Sequence, residues 1–97
     1  MKYGVYARDT YSDEMFGETG NYCYTDYTAK FLPNGNIDLE TLYTAMIDKG
    51  WLDSYTSIKD FKIVEKENRY NIFIYEESYQ ANEPDFYIDK EDYWLWQ

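Results

Sequence analysis

Carboxylates are the side chains in this sequence that could do chemistry. Asp and Glu together make up 19 of the 97 residues, and the chain has no histidine. Without histidine, the commonest general base and the usual zinc ligand are absent, and no Ser-His or Cys-His pair can form. Adjacent acids such as Asp13-Glu14 follow from the number of carboxylates, and nothing sets two of them in the opposed environments that acid–base catalysis requires. We therefore expect no enzymatic activity.

The sequence also predicts no metal site and no cofactor. A single cysteine, Cys23, cannot build a thiolate site, and neither a P-loop nor a GxGxxG fingerprint occurs. The acidic stretch from Asp9 to Glu18 departs from the calcium-binding EF-hand pattern, so we interpret it as a solvated loop. Cys23 lies among aromatic residues with no cationic neighbour in sequence, which favours a buried, unreactive thiol.

The last 22 residues combine carboxylates with aromatic side chains. They hold −6 of the net charge of −10, with Lys90 as the only base. Tyr and Trp are enriched at binding hot spots, and this segment interleaves its acids with Tyr79, Phe86, Tyr87, Tyr93, Trp94 and Trp96. We predict that its carboxylates form a partner-binding surface: Glu76, Glu77, Glu83, Asp85, Asp89, Glu91 and Asp92.

The overall charge indicates what kind of partner such a surface would bind. A net charge of −10, with an isoelectric point near 4.2, complements a basic protein surface. Direct binding to nucleic acid is not expected, because it requires Lys and Arg to displace counterions. An anionic membrane surface is disfavoured for the same reason. The alternative is that the charge only keeps an aromatic-rich protein soluble.

Four segments have the composition of β-strands. Residues 1–8 alternate, with Tyr3, Val5 and Ala7 on one side, and residues 21–32 continue the pattern after a loop at 9–20. In residues 21–32 one face would hold Cys23, Thr25, Tyr27, Ala29 and Phe31. Residues 58–65 and 70–75 predict an antiparallel hairpin with a longer loop between its strands.

A helix is predicted from about residue 39 to residue 49. Asp38 is a favoured N-cap residue, and Ile37 and Leu42 are spaced as a hydrophobic staple. Leu39, Leu42, Tyr43 and Met46 form an apolar stripe. Gly50 stands where a left-handed residue would end the helix, and Trp51 would then fold back on Met46 in a Schellman-type contact.

Together these elements predict one acidic α+β domain over residues 1–97, with an antiparallel sheet of about four strands and one helix packed on it. Leu, Ile, Val and Phe number only 19, so the core must draw on the aromatic residues, which are 22% of the chain. The segment from Glu76 is ambiguous, although Phe86 and Ile88 alternate as in a strand. With no apolar run suited to a signal peptide or membrane helix, and a single cysteine, we expect a cytoplasmic protein.

The chain resembles the small acidic DNA-mimic proteins of phages and mobile elements. The similarity lies in its length, its negative charge, its lack of histidine and thiol chemistry, and its mixture of Tyr with Glu and Asp. The resemblance is one of composition over the whole chain and transfers no specific residue. It implies inhibition of a basic nucleic-acid-binding effector, of the restriction or CRISPR type, by carboxylates that stand in for DNA phosphates.

Two other functions fit the same composition. An immunity protein or antitoxin that neutralises a basic nuclease toxin would also be small, acidic and aromatic at its contact surface. A module that binds carbohydrate or peptide would instead use Trp51, Trp94 or Trp96 as stacking surfaces, and the acidic charge disfavours it.

Overall fold

The computed structural model describes residues 3–8 and 21–90. Predictions that concern the loop at residues 9–20, or Glu91, Asp92, Trp94 and Trp96, lie outside these residues. The described elements are, in chain order, β1 (Tyr3–Arg8), β2 (Tyr22–Ala29), α1 (Leu39–Asp48), a 3-10 turn (Ile58–Asp60), β3 (Lys62–Glu65), β4 (Arg69–Phe73), α2 (Glu76–Ala81) and β5 (Phe86–Asp89).

The strands form one antiparallel sheet in the order β2-β1-β5-β4-β3. The predicted α+β class with one main helix is therefore confirmed, but the described residues form five strands where about four were expected. The additional strand is β5, which inserts between β1 and β4 and joins the two hairpin-like halves of the chain.

One face of the sheet carries the hydrophobic core. Val5 and Ala7 of β1 lie opposite Ile88 and Phe86 of β5, and Ile72 of β4 pairs with Phe86. All five side chains are buried. The predicted alternation of β1 is thus confirmed, and α1 contributes Leu42 and Met46 to the same core.

Strand β2 contains a β-bulge, and the residues predicted to share one face lie on both sides of it. Gly4 pairs with Thr28 and Tyr6 with Tyr24, so three residues of β2 lie opposite Val5 alone. The middle one, Asp26, has a positive φ of 60°. Because the bulge adds two residues, the residues on either side of it keep the same face of the strand.

The predicted helix forms with both of its predicted ends. The Asp38 carboxylate accepts hydrogen bonds from the Thr41 backbone N–H (3.2 Å) and hydroxyl (2.8 Å). At the other end Gly50 has φ +82°, and Trp51 N–H donates to Met46 C=O at 2.9 Å, as in a Schellman motif. The Trp51 side chain remains 37% exposed, while the next residue, Leu52, enters the core.

The second half of the chain differs in detail from the prediction. Residues 58–65 do not form one strand, because Ser57 and Asp60 make a capping box that folds Ile58–Asp60 into a 3-10 turn. The hairpin of β3 and β4 is present with a tighter loop than expected, closed by a bond from Lys66 N–H to Arg69 C=O (2.7 Å). The segment after Glu76 begins with a short helix, α2, before β5.

Candidate partner-binding surface

The predicted carboxylates of α2 lie at its first turn and point into solvent. Glu76 and Glu77 are both exposed. Lys62 Nζ lies 3.5 Å from a Glu76 carboxylate oxygen, and both side chains are more than half exposed. Exposed pairs of this kind contribute little to stability, so both carboxylates are accessible to a partner.

Asp85 has a structural role that its position in an acidic segment did not predict. Its carboxylate accepts hydrogen bonds from the backbone N–H groups of Ile74 (2.7 Å) and Tyr75 (3.3 Å), and from the Ser78 hydroxyl (2.9 Å). Its own N–H donates to Ile72 C=O at 2.9 Å. Asp85 therefore ties the end of β4 and the start of α2 to β5, and little of its hydrogen-bonding capacity remains for a partner.

The other predicted carboxylates of this region also have neighbours within the chain. Glu83 lies 3.1 Å from the Arg8 guanidinium, and Asp89 is the cross-strand neighbour of Arg69. Glu91 and Asp92 lie outside the described residues. The described members of the predicted set thus lie on α2, the α2–β5 connection and β5.

Two of the described aromatic residues of the C-terminal segment, Phe86 and Tyr87, belong to the scaffold. Phe86 is buried in the core. Tyr87 lies on the opposite face of the sheet, where it stacks on Tyr6 with ring centroids 4.9 Å apart and 7° between planes. Tyr22 meets Tyr87 edge-on at 5.1 Å, and the Arg69 guanidinium lies 4.1 Å from the Tyr87 centroid. These contacts connect β2, β1, β5 and β4, so they stabilise the sheet.

A second acidic region, which the sequence reasoning did not single out, follows the exposed side of α1. Glu40 and Asp48 project from this side with the exposed Thr44 between them, and the shallow depression along it is lined by residues of α1 alone. Asp48 follows Glu40 by eight residues, a distance of about 12 Å along the helix axis. No described residue forms an ion pair with either carboxylate.

A groove of about 760 Å³ lies between the start of α1 and the edge of the sheet at β3. Leu32 and Ile63 contribute apolar surface to it and are 42% and 37% exposed. The charged side chains among its described lining residues are all acidic: Asp38, Glu40 and Glu65. Glu40 also lines the depression along α1, so the groove and the depression adjoin at this residue. We call Asp38, Glu40, Asp48 and Glu65 the α1–β3 carboxylates.

Local hydrogen bonds hold two of the α1–β3 carboxylates in position. The bonds from the Thr41 side chain and backbone lower the pKa of Asp38, and Lys30 adds a smaller effect in the same direction. Lys90 Nζ lies 2.8 Å from a Glu65 carboxylate oxygen and also donates to Lys66 C=O. The hydrogen bond to Glu65 raises the pKa of Lys90, so the Lys90 ammonium stays charged at neutral pH.

Other titratable groups of the described residues are explained by packing. Burial raises the pKa of Tyr22 and Tyr27. The Tyr22 hydroxyl donates to Pro84 C=O at 2.7 Å, whereas no residue of the described ranges hydrogen-bonds to the buried Tyr27 hydroxyl. The Cys23 side chain is half-buried where full burial was expected, opposite Ala7 of β1. Among residues 3–8 and 21–90, no three Asp, Glu or Cys side chains are grouped as metal ligands would be.

None of the helices in the described ranges has the length and apolar character needed to cross a membrane. No protein-family model matches the chain, and no significant match to it occurs among curated proteins or solved structures.

Proposed function

We propose that this protein binds a basic nucleic-acid-binding protein and inhibits it by presenting carboxylates where its target would bind phosphates. The observation that supports the proposal is the set of α1–β3 carboxylates, which line the groove and the depression that adjoins it at Glu40. Of the described residues that line the groove and the depression, every charged one is acidic.

The positions of these carboxylates favour recognition by Arg and Lys. Glu40 and Asp48 project from one helix, so their backbone positions are fixed, and the Asp38 carboxylate is held by Thr41. Carboxylates can accept bidentate hydrogen bonds from Arg as phosphates do. A surface of one charge sign also accelerates association with a basic partner by electrostatic steering.

The α1–β3 carboxylates are better placed for this function than the predicted C-terminal set. Glu83 is paired with Arg8 and Asp85 binds backbone N–H groups, so a partner would have to displace these contacts. Glu76 and Glu77 remain accessible and belong to a separate patch on α2. We therefore place the main contact on α1 and the groove, with α2 as a secondary contact.

Capture from a bacterial lysate tests the proposal. The protein is immobilised, and retained basic proteins are challenged with duplex DNA at constant ionic strength. We expect DNA to release them, because DNA and the α1–β3 carboxylates compete for one cleft. Release by salt but not by DNA would contradict mimicry, and it would favour an immunity-type complex formed away from the nucleic-acid site.

Two variants of equal charge provide the control. The surface variant combines Glu40→Gln, Asp48→Asn and Glu65→Gln, and the control variant combines Asp26→Asn, Asp53→Asn and Glu67→Gln, three exposed acids outside both α2 and the groove. Each raises the formal net charge from −10 by three. We expect the surface variant to lose DNA-releasable capture and the control variant to keep it. Equal capture by both variants would show that binding depends on the total charge of the protein and not on the positions of the carboxylates.

A further inference from the structure

Among the residues that the structure describes, no strand lies beside the outer edge of β3. β3 pairs with β4 on one side and ends the sheet. The Lys66–Arg69 bond closes the hairpin, and hydrogen-bonded and non-hydrogen-bonded pairs alternate from it along an antiparallel ladder. Lys62 and Val64 therefore bond to β4, whereas the N–H and C=O groups of Ile63 and Glu65 point away from the sheet. No described residue hydrogen-bonds to these backbone groups.

The groove described above adjoins this open edge. Ile63 is the cross-strand neighbour of the core residue Ile72, and Glu65 is that of Tyr70. The side chains of Ile63 and Glu65 consequently lie on the same side of the sheet as α1, and both line the groove. An additional strand at this edge would place alternate side chains in the groove.

The groove requires an occupant that is both apolar and basic. Leu32 and Ile63 offer an apolar contact, while Asp38 and Glu40 supply negative charge that Lys90, paired with Glu65, does not neutralise. A second copy of this chain would bring two acidic grooves together, and that repulsion disfavours self-pairing. Charge complementarity thus favours a segment with an apolar residue between Lys or Arg residues.

We infer that the groove anchors an extended segment of the basic partner, which adds to the sheet as a sixth strand beside β3. This inference rests on the proposed function for the identity of the partner. The segment's backbone bonds to Ile63 and Glu65, its apolar side chain contacts Leu32 and Ile63, and its basic side chains face Glu40 and Glu65. Strand addition of this kind obtains affinity from main-chain hydrogen bonds and specificity from alternate side chains.

The test uses a fluorescein-labelled peptide, acetyl-TRTLTRT-amide, in an anisotropy titration. Two matched peptides accompany it: one methylated on the backbone nitrogens that would face β3, and one with both Arg replaced by Glu. We expect methylation to weaken binding by roughly tenfold, the loss that corresponds to about two backbone hydrogen bonds, and we expect the acidic peptide not to bind. Equal binding of the methylated peptide would overturn strand addition.

Protein variants test the same edge from the other side. Ile63→Pro removes an N–H that faces away from β4 and so spares the β3–β4 ladder. Leu32→Ala truncates the apolar contact outside the sheet, and it replaces the first variant in the test if Ile63→Pro fails to fold. Tyr55→Ala, a truncation of a side chain 93% exposed and absent from the groove lining, is the control. We expect the two groove variants to weaken peptide binding and the control to leave it unchanged.

The outcomes separate this inference from the proposed function. If the Ile63→Pro protein still captures basic proteins that DNA releases, and no variant changes peptide binding, the inference of strand addition fails and the proposed function stands. If the peptide binds as expected but nothing captured is released by DNA, the function fails and the groove stands. A dimer of the unmodified protein that Ile63→Pro dissociates, measured by sedimentation, would show that a second copy occupies the edge and would overturn the inference.

Discussion

Among single residues, Asp85 shows that a carboxylate in an acidic segment can hold the fold together by binding backbone N–H groups. It follows Pro84 in an acidic stretch and gives no local sign of an internal partner. Its three acceptor contacts join elements that are distant in sequence, since Ile74 precedes it by 11 residues. The Ile74 N–H is part of a buried residue, and a buried donor left without a partner incurs its full desolvation cost.

Asp85→Lys should therefore destabilise the protein, by roughly 1.5–3 kcal/mol, since hydrogen bonds to a charged acceptor are lost. The free energy of unfolding in urea measures the effect. Glu77→Lys makes the same change of charge at an exposed carboxylate of α2 and should stay within about 0.5 kcal/mol of the unmodified protein. Equal unfolding free energies for the two variants would contradict the structural role of Asp85.

At the scale of elements, local signals determine α1 and long-range pairing determines β5. The cap at Asp38, the buried Ile37 and Leu42, and the turn at Gly50 all lie within or beside the helix, so the sequence predicts it closely. β5 forms because Phe86 and Ile88 face partners on β1 and β4, which single-sequence periodicity cannot reveal. The helix α2 had detectable signals: Glu76 and Glu77 in its first turn, left-handed Asn82 at its end and Pro84 beyond it.

The candidate surface was missed for a similar reason. Glu65 lies 25 residues after Glu40 in the sequence, and only the fold brings both to one groove. The C-terminal acids are close together in sequence, which favoured them, but the sequence does not show that Glu83 and Asp85 contact Arg8 and the Ile74 N–H within the chain.

The end of α1 provides a test at this scale. Gly50 has φ +82°, and a Cβ added there would meet nothing within 4 Å, so any cost of substitution is conformational. Gly50→Val should destabilise the protein by about 1–2 kcal/mol, because an L-residue resists the left-handed region. Gly50→Asn should lose less, since Asn tolerates this conformation. Urea denaturation that gave both variants the same midpoint would contradict the assignment of Gly50 as the helix terminator.

For the whole molecule, two electrostatic contributions to stability oppose each other. A net charge of −10 makes the folded chain repel itself. Against this act the described ion pairs Arg8–Glu83, Lys62–Glu76 and Lys90–Glu65, each of which is partly exposed and typically worth about 0–1 kcal/mol. Salt screens both, with a Debye length of about 10 Å at 0.1 M, but repulsion acts over longer distances than the pairs and is screened more completely.

We therefore expect the melting temperature to rise as NaCl increases from about 10 mM to 300 mM, a range over which the Debye length falls from about 30 Å to below 10 Å. The surface and control variants, which have lost equal negative charge, should both melt higher than the unmodified protein at low salt and show a smaller rise. Choline chloride should reproduce the effect, because screening depends on ionic strength and not on the cation. A melting temperature that falls with salt would mean that the ion pairs outweigh the repulsion. In that case, neutralising Glu65, which pairs with Lys90, would lower the melting temperature of the surface variant below that of the control variant.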